Sequence, residues 1–166
     1  MSTNFSYSFK VWFKSTGEPM TFTVAEAAWG RLKKALQEKR RGFFIWATLD
    51  GRTLALNLTY VQMARFTFKE SPANEQVPGE RHSKITLHFT DSRLESFEVA
   101  DAADLANVFS TLKSDPSEKG LSFTTIDDES IVFLTEALIL IDTSTVFVEE
   151  GYLKILNEKK AARQKA

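Results

Sequence analysis

Residues 138–141 are Leu138-Ile139-Leu140-Ile141, an aliphatic run near the end of the chain. In a β-strand, consecutive side chains point to opposite faces of the sheet. Four aliphatic residues in succession therefore make both faces apolar, which is typical of a strand covered on both sides. We expect this run to form a central strand.

Segments on either side of this run repeat patterns found earlier in the chain. The matched segments are Phe9–Phe13 with Ile85–Phe89, Phe22–Glu26 with Phe97–Asp101, Thr48–Gly51 with Thr125–Asp128, and Leu54–Leu56 with Ile131–Phe133. Their offsets are 76, 75, 77 and 77 residues. This nearly constant spacing predicts a tandem duplication of one unit of about 75 residues.

Local patterns give the order of elements within the unit. Tyr7, Phe9, Val11 and Phe13 alternate with polar residues or Trp12, as in a half-buried strand. Apolar residues then recur at helical spacing, at Ala25, Ala28, Trp29, Leu32, Ala35 and Leu36. Asp50-Gly51 between two strand-like segments indicates a hairpin. We predict an α+β fold with antiparallel sheets, in which a β-β-α-β-β-β unit occurs twice.

These patterns also divide the chain. Copy one spans residues 5–69, a linker spans 70–82, copy two spans 83–150, and a basic C-terminal tail spans 151–166. The last strand is predicted at about residues 137–148. A second division starts a unit at the first helix, so that the N-terminal hairpin, residues 7–24, would complete the second half. The two copies are therefore expected to be packed together or interlocked.

Charge is distributed unevenly along the chain, although the net charge is only −1. Residues 1–80 carry a net charge of +4, residues 81–150 carry −9, and residues 151–166 carry +4. Opposite potentials on two parts of a molecule favour head-to-tail association. A homo-oligomer or a protein partner is therefore expected, with basic surface meeting the acidic second copy of a neighbour.

Several classes of function lack the residues they need. The chain has no cysteine, so it has no disulfide framework and no thiolate site. No apolar run reaches the roughly 18 residues of a membrane-spanning helix, and the first residues do not resemble a signal peptide. We expect a cytoplasmic protein that does not bind membranes.

Neither a metal site nor a cofactor site is predicted. His82 and His88 lack the spacing of paired metal ligands. The acidic run Asp127-Asp128-Glu129 coincides with a predicted hairpin turn, where Asp is favoured for its geometry. Asp50 is also a turn residue, with no neighbouring partner for acid–base catalysis. No catalytic residue can be named, although an enzyme with a cleft that the sequence does not reveal is left open.

Aromatic residues on strand faces that should be polar are candidates for an interface. Trp12 alternates with Lys10 and Lys14. Phe44 and Trp46 alternate with Phe43, Ile45 and Ala47, which we expect to face the core. Trp12, Phe44 and Trp46 therefore predict a second sheet face that is covered by a helix, by the other copy or by another chain.

A basic cluster lies on and just after the first predicted helix. Its members are Arg31, Lys33, Lys34, Lys39, Arg40 and Arg41, largely off the apolar stripe. They could bind nucleic-acid phosphates, or they could be a solvated helix face whose cations complement the helix dipole. We therefore predict a non-enzymatic binding or assembly module, and the alternative is a nucleic-acid-binding protein that uses this face and the basic tail.

Overall fold

The computed structural model describes residues 5–14, 17–70, 80–114 and 120–165, which form ten strands and three α-helices. The strands are β1 (Phe5–Phe13), β2 (Met20–Val24), β3 (Phe43–Ala47), β4 (Arg52–Asn57), β5 (Val61–Glu70), β6 (Lys84–Phe89), β7 (Leu94–Glu98), β8 (Gly120–Thr124), β9 (Ser130–Leu134) and β10 (Leu138–Ser144). The helices are α1 (Glu26–Gln37), α2 (Ala102–Ser114) and α3 (Thr145–Gln164). The predicted α+β class is confirmed.

The strands form three sheets, and every strand pair among the described residues is antiparallel. The sheet orders are β2-β1-β5, β3-β4-β10-β6-β7 and β8-β9. β10 is the middle strand of the five-stranded sheet, and Leu138, Ile139, Leu140 and Ile141 are all buried. The prediction of a central strand at this run is confirmed.

Strands from both halves of the chain share the five-stranded sheet. β10 pairs with β6 on one side and with β4, from the first half, on the other. The N-terminal strand β1 pairs with β2 and β5. The N-terminal hairpin thus lies with the first half, rather than completing the second half as the alternative division requires. The two halves meet at β4 and β10 instead.

Two hydrophobic cores lie within this framework. The first contains Phe9, Leu32 and Trp46 and includes the buried face of α1, and the second contains Leu105, Phe109 and Phe147 from α2 and α3. Each core includes a residue from the strand on the other side of the junction. Ala55 of β4 belongs to the second core, and Leu140 of β10 belongs to the first. Each core therefore contains residues from both parts of the chain.

The end of the chain differs from the prediction. β10 ends at Ser144, whereas a strand to residue 148 was expected, and α3 begins at Thr145, before the predicted boundary of the tail at residue 151. Phe147, Val148 and Gly151 are buried at helical spacing, and α3 packs on α2. Tertiary packing thus overrides the strand preference of this β-branched run. Most of the predicted linker 70–82 lies outside the described residues.

Candidate assembly interface

The junction between the halves is a five-residue antiparallel pairing of β4 with β10. Ala55 lies opposite Ile141, and Leu56 lies opposite Leu140. At one end the side-chain amide of Asn57 donates a hydrogen bond of 2.9 Å to the carbonyl oxygen of Leu138. This junction buries its apolar side chains and satisfies the amide of Asn57, so it is built like the interior of a domain.

A charged pair fixes the register of this junction. Arg52 of β4 donates from Nη1 to Oδ2 of Asp142 on β10, at 3.0 Å. The two residues lie diagonally across the strands, since Arg52 is opposite Ser144 and Asp142 is opposite Leu54. Diagonal neighbours on one face of a sheet are within reach of long side chains. A one-residue slip would send one of these two side chains to the other face.

A shift of 77 residues along the chain aligns β5 with β10, and β4 with β9 to within one residue. The hairpin before β4 is closed by the amide of Thr48 and the carbonyl of Arg52 at 2.7 Å, and the hairpin before β9 by Thr125 and Glu129 at 2.9 Å. Short 3₁₀ turns, Leu58–Tyr60 and Thr135–Ala137, precede β5 and β10 respectively. An offset of 77 residues relates each of these features to its counterpart.

Unlike their counterparts, β5 and β9 have an unpaired edge in the described parts of the chain. β5 pairs only with β1, and β9 pairs only with β8. Val132 of β9 is 69% exposed, whereas Ala55 at the matching position of β4 is fully buried. Met63 of β5 is 53% exposed, whereas Leu140 at the matching position of β10 is 2% exposed. We call β5 and β9, with these exposed side chains, the two open edges.

The open edges differ in charge. β5 carries Arg65, Lys69 and, at its end, Glu70, while the turn before β9 carries Asp127, Asp128 and Glu129. Both edges expose further apolar side chains, Phe68 on β5 and Leu134 on β9. Long apolar edges favour pairing with another chain. The candidate site therefore consists of two complementary edges at different places on the molecule.

The sequence-predicted interface residues lie elsewhere, on β1 and β3. The predicted faces of β3 are reversed, since Phe44 and Trp46 contact the first core while Phe43 and Ile45 pack against the second. Trp46 is 3% exposed and its ring lies 5.5 Å from those of Phe9 and Phe22, so it packs in the core. The physical reason is that the second half covers the face of β3 that we expected to point into its own core.

Trp12 and Phe44 are half-buried, and each lies beside a cation. The ammonium group of Lys10 is 5.3 Å from the ring of Trp12. The guanidinium group of Arg31 is 5.7 Å from the ring of Phe44. Cations over aromatic faces cover part of the rings. An interface role for Trp12 and Phe44 stays a prediction.

The predicted basic cluster is exposed, but several of its members already have contacts within the chain. All six side chains, Arg31, Lys33, Lys34, Lys39, Arg40 and Arg41, are exposed. The carboxylate of Glu38 lies 3.8 Å from Nζ of Lys34 and 2.6 Å from Nη2 of Arg40. The ammonium group of Lys33 lies over the ring of Trp29. The cluster thus keeps a cationic surface that Glu38 partly neutralises.

A cleft of about 450 Å³ separates the turn after β1 from the hairpin β6-β7. Its lining includes His88, Phe89 and Arg93. Arg93 is paired with Asp91 at 3.2 Å. Burial lowers the pKa of His88, Asp142 raises it, and Arg52 lowers it further. His88 is therefore held neutral at ordinary pH, in a cleft where the lining residues do not present a cluster of carboxylates.

No group of three or more His, Asp or Glu in the described ranges is placed to hold a metal ion. None of the helices that the structure describes combines the length and apolar character required to cross a membrane.

The open edges were not singled out from the sequence. In the sequence, Met63, Phe68 and Val132 fit the alternation of ordinary strands, which does not show that they are exposed. The available signal was the repeat itself, because placing β5 on β10 and β9 on β4 matches each open edge to a paired one. No family model matches the chain, and neither a curated protein nor a solved structure matches it.

Proposed function

We propose that the protein is a non-enzymatic binding and assembly module of the cytosol, and that the open edges of β5 and β9 are its association surface. The observation that carries this proposal is the exposure of Met63, Phe68, Val132 and Leu134 on two strands that each lack one neighbour in the described ranges of the chain. An added strand would satisfy the free amides and carbonyls of such an edge, while alternate side chains give specificity.

We also propose that the two halves are tandem copies of one unit. Equivalent strand orders, β2-β1-β5 and β7-β6-β10, support this. So do the matching hairpins, in which the turn residues Gly51 and Asp128, 77 positions apart, both have positive φ, 80° and 59°. On this proposal, each copy was built to pair through its β3-β4 or β8-β9 hairpin with the last strand of another copy.

Sedimentation equilibrium over a wide range of protein concentration tests the association surface. We expect a mass above 18.8 kDa that falls in the variant Val132→Lys, since a charge would be buried in the contact. Leu94→Lys is the matched control, because Leu94 is similarly exposed but lies on the edge strand β7, beside Glu95. A wild-type monomer at every concentration, with neither variant differing from it, contradicts self-association through these edges.

A second candidate function is nucleic-acid binding, which the exposure of all six basic side chains on and after α1 favours. Each phosphate contact releases counterions, so the affinity would fall steeply as salt is raised. The test is the binding of a labelled single strand or duplex by the wild type and by Arg40→Glu combined with Arg41→Glu. Binding that is absent, or insensitive to both salt and the substitutions, would reject this candidate.

A further inference from the structure

We propose that the partner of the open edges is a second copy of this chain, with β9 of one molecule pairing antiparallel to β5 of the next. This inference rests on the proposed function and adds the identity of the partner, the strands and their register. The template is the junction between β4 and β10 inside each chain. At an offset of 77 residues, β9 takes the place of β4 and β5 takes the place of β10.

The internal register predicts the register between chains. Leu56 opposite Leu140 becomes Phe133 opposite Met63, and Ala55 opposite Ile141 becomes Val132 opposite Ala64. The remaining predicted pairs are Ile131 with Arg65, Ser130 with Phe66, and Glu129 with Thr67. The predicted register has five residue pairs, as the internal one does; β5 (Val61–Glu70) extends beyond them, and Glu129 directly precedes β9.

Burial supports the same arrangement. Within the chain, Ala55 of β4 enters the core of the half to which β10 belongs. Ala64 of β5 faces the first core, so Val132 of a neighbour would be buried beside it, at the rim of that core. Met63 would reciprocally turn towards the neighbour's second core, as Leu140 turns towards the first. Val132 and Met63 are the most exposed apolar side chains among the predicted pairs, and both would be covered.

Charge distinguishes this pairing from the other combinations of strands. Arg52 and Asp142 form the diagonal pair of the internal junction. Their counterparts are Glu129 and Arg65, so the charges are again opposite but exchanged between the strands. Pairing β4 with β5 would bring Arg52 near Arg65, and pairing β9 with β10 would bring Glu129 near Asp142. Like charges across neighbouring strands are unfavourable, so the sequence favours β4 with β10 and β9 with β5.

The proposed contact joins different surfaces of identical chains. Such head-to-tail contacts close into a ring when the rotation between molecules permits, and otherwise they continue as a filament. Contact through β5 alone, or through β9 alone, would instead give a symmetric dimer. The basic side chains of β5 would then face one another, or the acidic turns before β9 would.

The test exchanges the charges and follows the association constant by sedimentation. Arg65→Glu and Glu129→Arg are made singly and together, and the two single variants are also mixed in equal amounts. Both residues are exposed in the single chain, so folding should be kept. Each single variant should associate about two- to fivefold more weakly, as for exposed ion pairs. The double variant and the mixture should both recover, since each contact again joins opposite charges.

Arg93→Glu is the control, because Arg93 is exposed and paired locally with Asp91. A wild type that never exceeds one chain in mass overturns both the proposed function and this inference. If the wild type associates but neither Arg65→Glu nor Glu129→Arg weakens it, the edges have another partner surface, and only this inference is overturned. If the single variants associate more weakly and mixing them does not restore the association constant, Arg65 and Glu129 do not face each other, and this inference is overturned.

Discussion

β5 and β10 lie 77 residues apart and follow matching 3₁₀ turns, yet they lie in opposite surroundings. Each follows a 3₁₀ turn and pairs on one side with the first strand of its own half. β10 also pairs with β4 and is buried, whereas β5 has no second neighbour among the described residues and exposes Met63 and Phe68. β10 thus has the second strand neighbour that β5 lacks in the described parts of the chain.

Truncating matched side chains of β5 and β10 tests the difference in burial between the two strands with the largest expected effect. Leu140→Ala should lower the free energy of unfolding by about 2–5 kcal/mol, because Leu140 is buried in the first core. Met63→Ala in the single chain should change it by roughly 0.5 kcal/mol or less, because Met63 is exposed. Urea unfolding at low protein concentration measures both. Equal losses would show that β5 is covered within the chain.

Helix α3 adds cover to the second half that the structure does not show on the first, and two glycines test its packing. A Cβ at Gly151 would overlap the backbone carbonyl of Ala102, so Gly151→Ala should separate α3 from α2 and destabilise the protein. Gly30 in α1 has no neighbour within 4 Å of such a Cβ, so Gly30→Ala should stabilise by up to about 1 kcal/mol. Thermal unfolding of both variants checks the contrast, and a stabilising Gly151→Ala would contradict the close packing.

The residues beside the two strands also differ, since Trp12 lies opposite Met63 while His88 lies opposite Leu140. Burial lowers the pKa of His88. The unfolded chain therefore binds a proton at higher pH than the folded chain does, and stability should fall as pH decreases below about 6.5. His88→Gln should flatten this dependence between about pH 8 and 5.5. An unchanged slope in His88→Gln would place the proton uptake elsewhere.

Much of the fold follows from residue patterns along the chain. The run Leu138–Ile141 predicts its own central position, because a strand that is apolar on both faces is typical of the interior of a sheet covered on both sides. The alternation at Phe9 and Val11 and the helical stripe containing Leu32 likewise predict their elements and core faces. These patterns involve residues close together along the chain, so they can be recognised in a single sequence.

The candidate site depends on which strands become neighbours, and that information is not local. Val132 and Ala55 occupy matching positions of alternating strands, but among the described residues Ala55 has a strand on both sides, whereas Val132 has only β8 beside it. The faces of β3 were reversed for the same reason, since the second half covers Phe43 and Ile45. The end of β10 was missed because the packing of Phe147 and Gly151 on α2 determines where α3 begins.

Disulfide formation between two single-cysteine variants tests the pairing of β9 with β5 most directly. The natural chain has no cysteine, so Ala64→Cys and Val132→Cys each introduce the sole thiol. Opposite residues of antiparallel strands have Cα atoms about 4.5–5.5 Å apart, which a disulfide can span. We predict that mixing the variants under mild oxidation gives one product joining Cys at 64 to Cys at 132, while Ala64→Cys with Leu94→Cys gives none. Self-linked dimers of either variant, or no mixed product, would contradict the head-to-tail pairing.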